Sequence, residues 1–261
     1  MNARARTALL AACIPVFTLL PAQSAAAQDT EIRILCSNGF RGALQKLLPE
    51  YEHSMGRRLN VQFGASAAFK RSIEGGAPFD LTILTPQIVE DLIKEGKIAE
   101  GTAVDLASSG IGVAVGAGTP KPDVSTAEAI KQTLLRSKSI GYVKEGASSP
   151  AIVSMLDRLG ISEDVQRKTA FQAGAEQSMA SLAQGQTDVA FALISEIVPA
   201  PGVQLAGPLP AEFQKRITLS AGIASSTKNR DAASEIIKRL TSLAAATAIK
   251  ATGLDPIAKG K

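Results

Sequence analysis

Three short polar turns in this chain carry groups suited to holding an anion. The first is Ser37-Asn38-Gly39-Phe40-Arg41-Gly42, between an apolar run that ends at Leu35 and a helical pattern whose apolar face begins at Leu44. A helix start presents unpaired N–H groups and a partial positive charge, so a strand-turn-helix junction is a natural anion site. Ser37 and Asn38 add side-chain hydrogen bonds, Gly39 and Gly42 let a ligand approach the backbone, and Arg41 adds a charged fork that fits a carboxylate or another oxyanion. The same residues also suit an ordinary connection with Asn38 as N-cap. The second turn, Gly64-Ala65-Ser66-Ala67-Ala68, offers the Ser66 hydroxyl either as a cap or as a ligand donor. The third, Gly146-Ala147-Ser148-Ser149-Pro150, opens another helix with Pro150 near its first position. Ser195-Glu196 follows a further apolar strand.

These turns are positioned by alternating elements. Ile32–Leu35, Asn60–Phe63 and Phe79–Leu84 read as buried strands. Each is followed by a helix: Leu44, Leu47, Leu48 and Tyr51 share one face, with Pro49 expected to bend that helix or start a new turn, and Thr85-Pro86 opens the third helix in an N-cap/N1 arrangement. Strands alternating with helices imply a parallel sheet, whose ligands bind beyond the carboxyl ends of the strands, where Ser37, Ser66 and Thr85 fall. Gly110–Gly116 reads as a crossover into a second lobe with helices over Thr126–Leu135, from Pro150 to Leu159 and over Ala175–Leu182, and strands over Ser139–Val143 and Asp188–Leu193. Ile217–Ala224 crosses back, and a last helix runs from Asp231 to about Lys250. The expectation is an α/β protein of two lobes, each a mostly parallel sheet flanked by helices, joined by two crossover strands. Residues 28–109 with 223–261 form the first lobe and 110–222 the second. Ser37, Asn38 and Ser66 would face Ser148, Ser149 and Ser195 across the cleft.

Composition removes several alternatives. Arg4 and Arg6, the apolar run Thr7–Leu20 and Ala25-Ala26-Ala27 make residues 1–27 a cleavable secretory signal, which places the product in the periplasm with no membrane insertion. Without Arg4 and Arg6 the balance is 26 positive against 24 negative residues, and no basic run points to nucleic acid. His53 is the only histidine; it follows Glu50, Tyr51 and Glu52 on the outer part of a helix and is expected to face solvent. A histidine zinc site is thereby excluded, and a Ser-His-Asp triad would need His53. No metal and no cofactor are expected. Cys36 is the single cysteine after residue 27 and reads as an inert core thiol without a disulfide partner. A monomer is expected.

Over nearly all of the chain after residue 27 the sequence resembles the periplasmic molybdate-binding proteins of ABC importers. The resemblance rests on the first strand-turn-helix, on FGASAAFKRSIEGGAPFDLTIL (63–84), SIGYVKEGASSP (139–150) and TDVAFALISE (187–196), and on the order of elements. It implies a type II periplasmic binding protein fold, a small anionic ligand and an ABC permease as partner. It also implies a site of neutral donors: Ser66, which matches the serine of the second turn, and turn N–H groups, Ala67 and Ala175 among them. The chain departs from the pattern where Gly39 stands at the first-turn serine and Leu193 at a late tyrosine. Arg41, Lys70, Arg71 and Glu196 add charge near turns where neutral groups would serve. These departures move the expected ligand toward a small organic di- or tricarboxylate, with Arg41 as counter-charge. The family also includes an aconitate isomerase. That reaction needs a base, and Glu145, Glu176 and Glu196 are the candidates. The residues leave a binding module and an isomerase both open.

Overall fold

The computed structural model describes residues 31–257; the expected signal segment lies outside the described residues. The chain first builds β1 (Glu31–Ser37), α1 (Asn38–Met55), β2 (Arg58–Gly64), α2 (Ser66–Glu74), β3 (Leu81–Leu84), α3 (Pro86–Lys94) and β4 (Val104–Ser109). It then passes through Gly110 into β5 (Ile111–Gly116), α4 (Ala127–Arg136), β6 (Ile140–Val143), α5 (Ser149–Leu159) and α6 (Ser162–Gln166). β7 (Thr169–Gln172), α7 (Ala175–Ala183), β8 (Val189–Leu193), α8 (Ile194–Ile197) and β9 (Val203–Pro208) follow. It ends with β10 (Ile217–Ile223), α9 (Arg230–Leu240), α10 (Leu243–Lys250) and β11 (Asp255–Pro256).

Two sheets result, ordered β11-β4-β10-β3-β1-β2 and β7-β6-β8-β5-β9, and the molecule is a two-domain α/β protein. β1 pairs in parallel with β2 and β3, and β6 with β7 and β8. The sheets are nevertheless mixed, for a simple reason. A strand that leaves one sheet and runs straight into the other arrives against the grain. β5, the first strand after the outward crossing, is antiparallel to β8 and β9. β10, the first after the return, is antiparallel to β3 and β4. Because β10 lies in the first sheet along its whole length, residues 217–222 belong with that sheet, not with the second lobe to which sequence had assigned them.

Alternation along the strands divides each core into two layers. Ile32, Ile34 and Cys36 of β1 point to a cluster that includes Phe40, Leu44, Leu47, Ile236 and Ile249 from α1, α9 and α10, whereas Leu35 points to one with Phe69, Ile73, Val89 and Leu92 from α2 and α3. In the second sheet Ile111, Val113 and Val115 meet α4, α5 and α6, and Ala114, Ala190 and Ala192 meet α7 and α8. The small residues on that second face let α7 and α8 lie close to the sheet. α1 runs through Pro49 as one helix. The expected single last helix is broken: the Ser242 hydroxyl accepts the N–H of Ala245 at 3.2 Å and caps α10 as a separate element. Among the described residues no helix is long and apolar enough to cross a membrane.

Candidate functional site

Four helices start around one small cavity. Ser37 and Asn38 bring the start of α1 to its wall, Ala65 and Ser66 that of α2, Ala147 and Ser148 that of α5, and Gly174 and Ala175 that of α7. All four follow strands of parallel pairs, so the cavity sits beyond the carboxyl ends of both sheets. None of the four N-termini is capped by a side chain. The helices whose N-cap side chains do accept a backbone N–H, α4 and α10, start elsewhere. Uncapped first-turn N–H groups and four converging helix dipoles make the wall electropositive without requiring a charged side chain.

The Ser66 hydroxyl sharpens this arrangement. Ser66 is 7% exposed, and its Oγ is buried without a hydrogen-bond partner among the described residues. A buried hydroxyl left unpaired costs about 1–3 kcal/mol, so one that faces a cavity is a donor or acceptor held ready for a guest. Ser66 is the first helical residue, and Ala65 takes the cap position. In the first turn Ser37 is the N-cap and Asn38 already lies in the helix, which corrects the reading of Asn38 as N-cap. The Asn38 Oδ1 instead accepts from Arg41 Nη2 at 3.2 Å.

Glu196 belongs to the cavity wall. The strand β8 ends at Leu193, the chain turns at once into α8, and Glu196 Oε2 accepts the N–H of Leu193 at 3.0 Å. α8 packs against α1, which leaves Glu196 half-buried. Burial pushes its pKa up to about 7, against the lowering influence of the Leu193 N–H and of Arg41. It is a carboxyl that changes charge near neutrality, next to a site built for anions.

Asn38, Ala175 and Glu196 line both this cavity, of about 30 Å³, and an adjoining, more open chamber of about 350 Å³. Arg41, Gln45, Glu176, Ser195 and the apolar Met179 and Pro199 line the chamber. The Arg41 guanidinium lies 4.6 Å over the Phe63 ring, and Nη1 pairs with Glu176 at 3.1 Å.

Of the residues singled out from sequence, Ser37, Asn38, Ser66, Ser148, Ala175 and Glu196 come together around the cavity, and Arg41, Glu176 and Ser195 around the chamber. Gly39, Ala67, Ser149 and Glu145 line neither. Gly39 lies behind the wall, where an added Cβ would sit 2.7 Å from Leu193 Cδ1 and 3.2 Å from Leu219 Cδ1. The Ser149 hydroxyl donates to the Val143 carbonyl. Glu145 is exposed and pairs with Arg71 at 3.1 Å. His53 is exposed and Cys36 fully buried. Sequence reasoning missed Phe191 and Ala192, which complete the cavity wall, and Gln45; the first two lie at the carboxyl end of a strand, the same signal that located the serine turns.

The family described as bacterial extracellular solute-binding protein matches residues 32–255. An aconitate isomerase of a Pseudomonas species is 29% identical over 255 residues, covering 96% of this chain and 94% of that protein. A molybdate-binding protein of Azotobacter vinelandii is 24% identical over 232 residues, 87% of this chain and 91% of that one. The solved periplasmic molybdate-binding protein of the same organism superposes with a TM-score of 0.73 at 20% identity, covering 88% of this chain and all of that one.

Proposed function

This chain belongs to the bacterial extracellular solute-binding proteins, and from that premise we propose that it captures a small oxyanion or organic carboxylate between its lobes in the periplasm and delivers it to the membrane subunits of an ABC importer. One observation carries the ligand class: four helix N-termini without side-chain caps meet at one cavity around the unpaired Ser66 hydroxyl. The similarity to a molybdate-binding protein supports an oxyanion. Arg41 beside the site supports a carboxylate. A thermal-shift panel of molybdate, tungstate, sulfate, phosphate, citrate and cis- and trans-aconitate tests the proposal. A ligand at a hundredfold excess over its Kd adds about 2.7 kcal/mol of stability and must raise the midpoint. A panel without any shift refutes it.

A second reading, isomerisation of aconitate, is favoured by Glu196. The similarity to an aconitate isomerase brings the reaction, and a half-buried carboxyl at the cavity wall, pushed up to about 7 by desolvation, supplies a group able to give and take a proton at neutral pH. In this reading the ionised Glu196 removes a proton from the carbon beside a carboxylate. The C–H electron pair spreads over the allylic system onto the carboxylate oxygens, where the helix N–H groups hold the developing charge. The protonated Glu196 then returns the proton to the other allylic carbon and regains its charge. NMR of cis-aconitate incubated with the protein reads the reaction directly. Conversion that Glu196→Gln abolishes supports this reading, and conversion that survives the substitution assigns the base elsewhere.

A further inference from the structure

The cavity and the chamber differ about twelvefold in volume and share three wall residues, and each has in its wall one serine whose buried hydroxyl lacks a partner among the described residues. We infer that the chamber is the second half of the binding site, and that the two together select an organic acid with at least two carboxylates: one in the helix cradle, another beside Arg41 and Ser195. The inference deepens the carboxylate branch of the function proposed above and rests on it.

Size is the first argument. A cavity of about 30 Å³ has room for roughly two water-sized groups, enough for the oxygens of one carboxylate. A tricarboxylate of twelve non-hydrogen atoms must place most of its bulk elsewhere. The chamber of about 350 Å³ shares Asn38, Ala175 and Glu196 with the cradle and offers that space.

Chemistry is the second. Ser195 lines the chamber and is 1% exposed, its N–H is engaged by the Ser109 hydroxyl at 3.1 Å, and its own Oγ is buried without a partner among the described residues. A buried orphan hydroxyl in each half of the site is the arrangement expected for a ligand with an oxyanion at each end. Arg41 supplies the counter-charge. Its present partner, Glu176, is 74% exposed, and an ion pair so open to water is held weakly enough for a ligand carboxylate to replace it. Stacking on Phe63 and the bond to Asn38 hold the guanidinium in place meanwhile. The chamber wall also carries the apolar Met179, Ala180 and Pro199, which suit a short carbon chain.

Calorimetric titration of trans-aconitate and sulfate into the wild type and four variants tests the inference. Ser195→Ala removes the orphan hydroxyl, Arg41→Gln the charge, and Ala180→Phe fills the chamber from an exposed position on α7. Ser66→Ala serves as the cradle control. The expected result is a loss of tenfold or more in trans-aconitate affinity for each chamber variant, with unchanged melting temperatures. If Ser66→Ala weakens trans-aconitate while the chamber variants stay within twofold of wild type, the cradle works alone and the inference is wrong. If the wild type binds sulfate but no polycarboxylate, the inference falls while anion capture stands. If it binds no anion at all, the proposed function itself fails and takes the inference with it.

Discussion

Glu196 is the residue where position matters more than type. Glu145, Glu176 and Glu196 have the same carboxyl, yet the first two are exposed and pair with Arg71 and Arg41, whereas the third is half-buried and retained by the N–H of Leu193. The carboxyl has its ordinary value of 4.5 in the unfolded chain and about 7 in the folded one. Between those values the folded protein binds a proton that the unfolded chain releases, so this group's contribution to stability falls as pH rises from 4.5 to 7 and is constant above. Keeping it ionised costs about 3 kcal/mol. Glu196→Gln should therefore raise the urea midpoint at pH 8, by up to that amount, and leave it nearly unchanged at pH 4.5; parallel pH profiles for the two proteins would contradict the burial argument. Ser66→Ala should weaken anion binding by about 1 kcal/mol or more at equal or slightly higher stability, since it removes an unpaired buried hydroxyl; titration and melting curves on one preparation check both. Sequence marked Ser66 through its turn. It could not separate the three glutamates, because burial of Glu196 depends on α8 packing against α1, far away in the chain.

Among the elements, α1 shows how packing and ligand access look alike in sequence. Gly39 was read as clearance for a ligand. In the structure it is clearance for a neighbour: the start of α1 presses against Leu193 at the end of β8 and Leu219 of β10. Gly39→Ala must shift the end of the Leu193 side chain and crowds Leu219; the expected loss is about 1 kcal/mol, the low end of overpacking, because only side-chain ends have to move, measured by urea unfolding. It should also weaken binding, since the α1 terminus it shifts forms the cradle. Most longer helices and strands were legible, because period-3.6 and period-2 patterns survive in a protein whose sheets are covered on both faces; β4, β7, β11 and the short α6 and α8 were not read. The break between α9 and α10 was not, since Ile236, Ile237, Leu240 and Ala245 keep a helical rhythm across a hydroxyl cap that only local geometry reveals. The chamber was illegible for another reason: α1, α7 and α8 meet there from distant parts of the chain.

Across the whole molecule, two ion pairs among the described residues join helices of the first lobe to the second: Arg41 of α1 with Glu176 of α7, beside the chamber, and Arg71 of α2 with Glu145 in the turn after β6. The Arg71 pair is exposed on both sides, so it adds little to folding, and an opening of the lobes would have to break it. Arg71→Ala should leave the melting temperature unchanged and speed ligand release up to about fivefold, most visibly at low salt; stopped-flow dissociation is the measurement, and an unchanged rate would leave that pair without a role in closure. The two-lobe plan was readable from the order of elements, but the return point was not, because a crossing strand looks the same whichever sheet receives it. That crossing has a consequence for how the chain assembles. β4 pairs only with β10 and β11, and β3 waits for β10 on one edge, which arrives about 130 residues later. The second sheet, by contrast, is complete once residue 208 has emerged. A chain delivered from its N-terminus finishes its middle first and its beginning last. The first lobe stays unlatched until the final strands come through, and a chain cut at residue 216 would hold a finished second sheet beside an unfinished first.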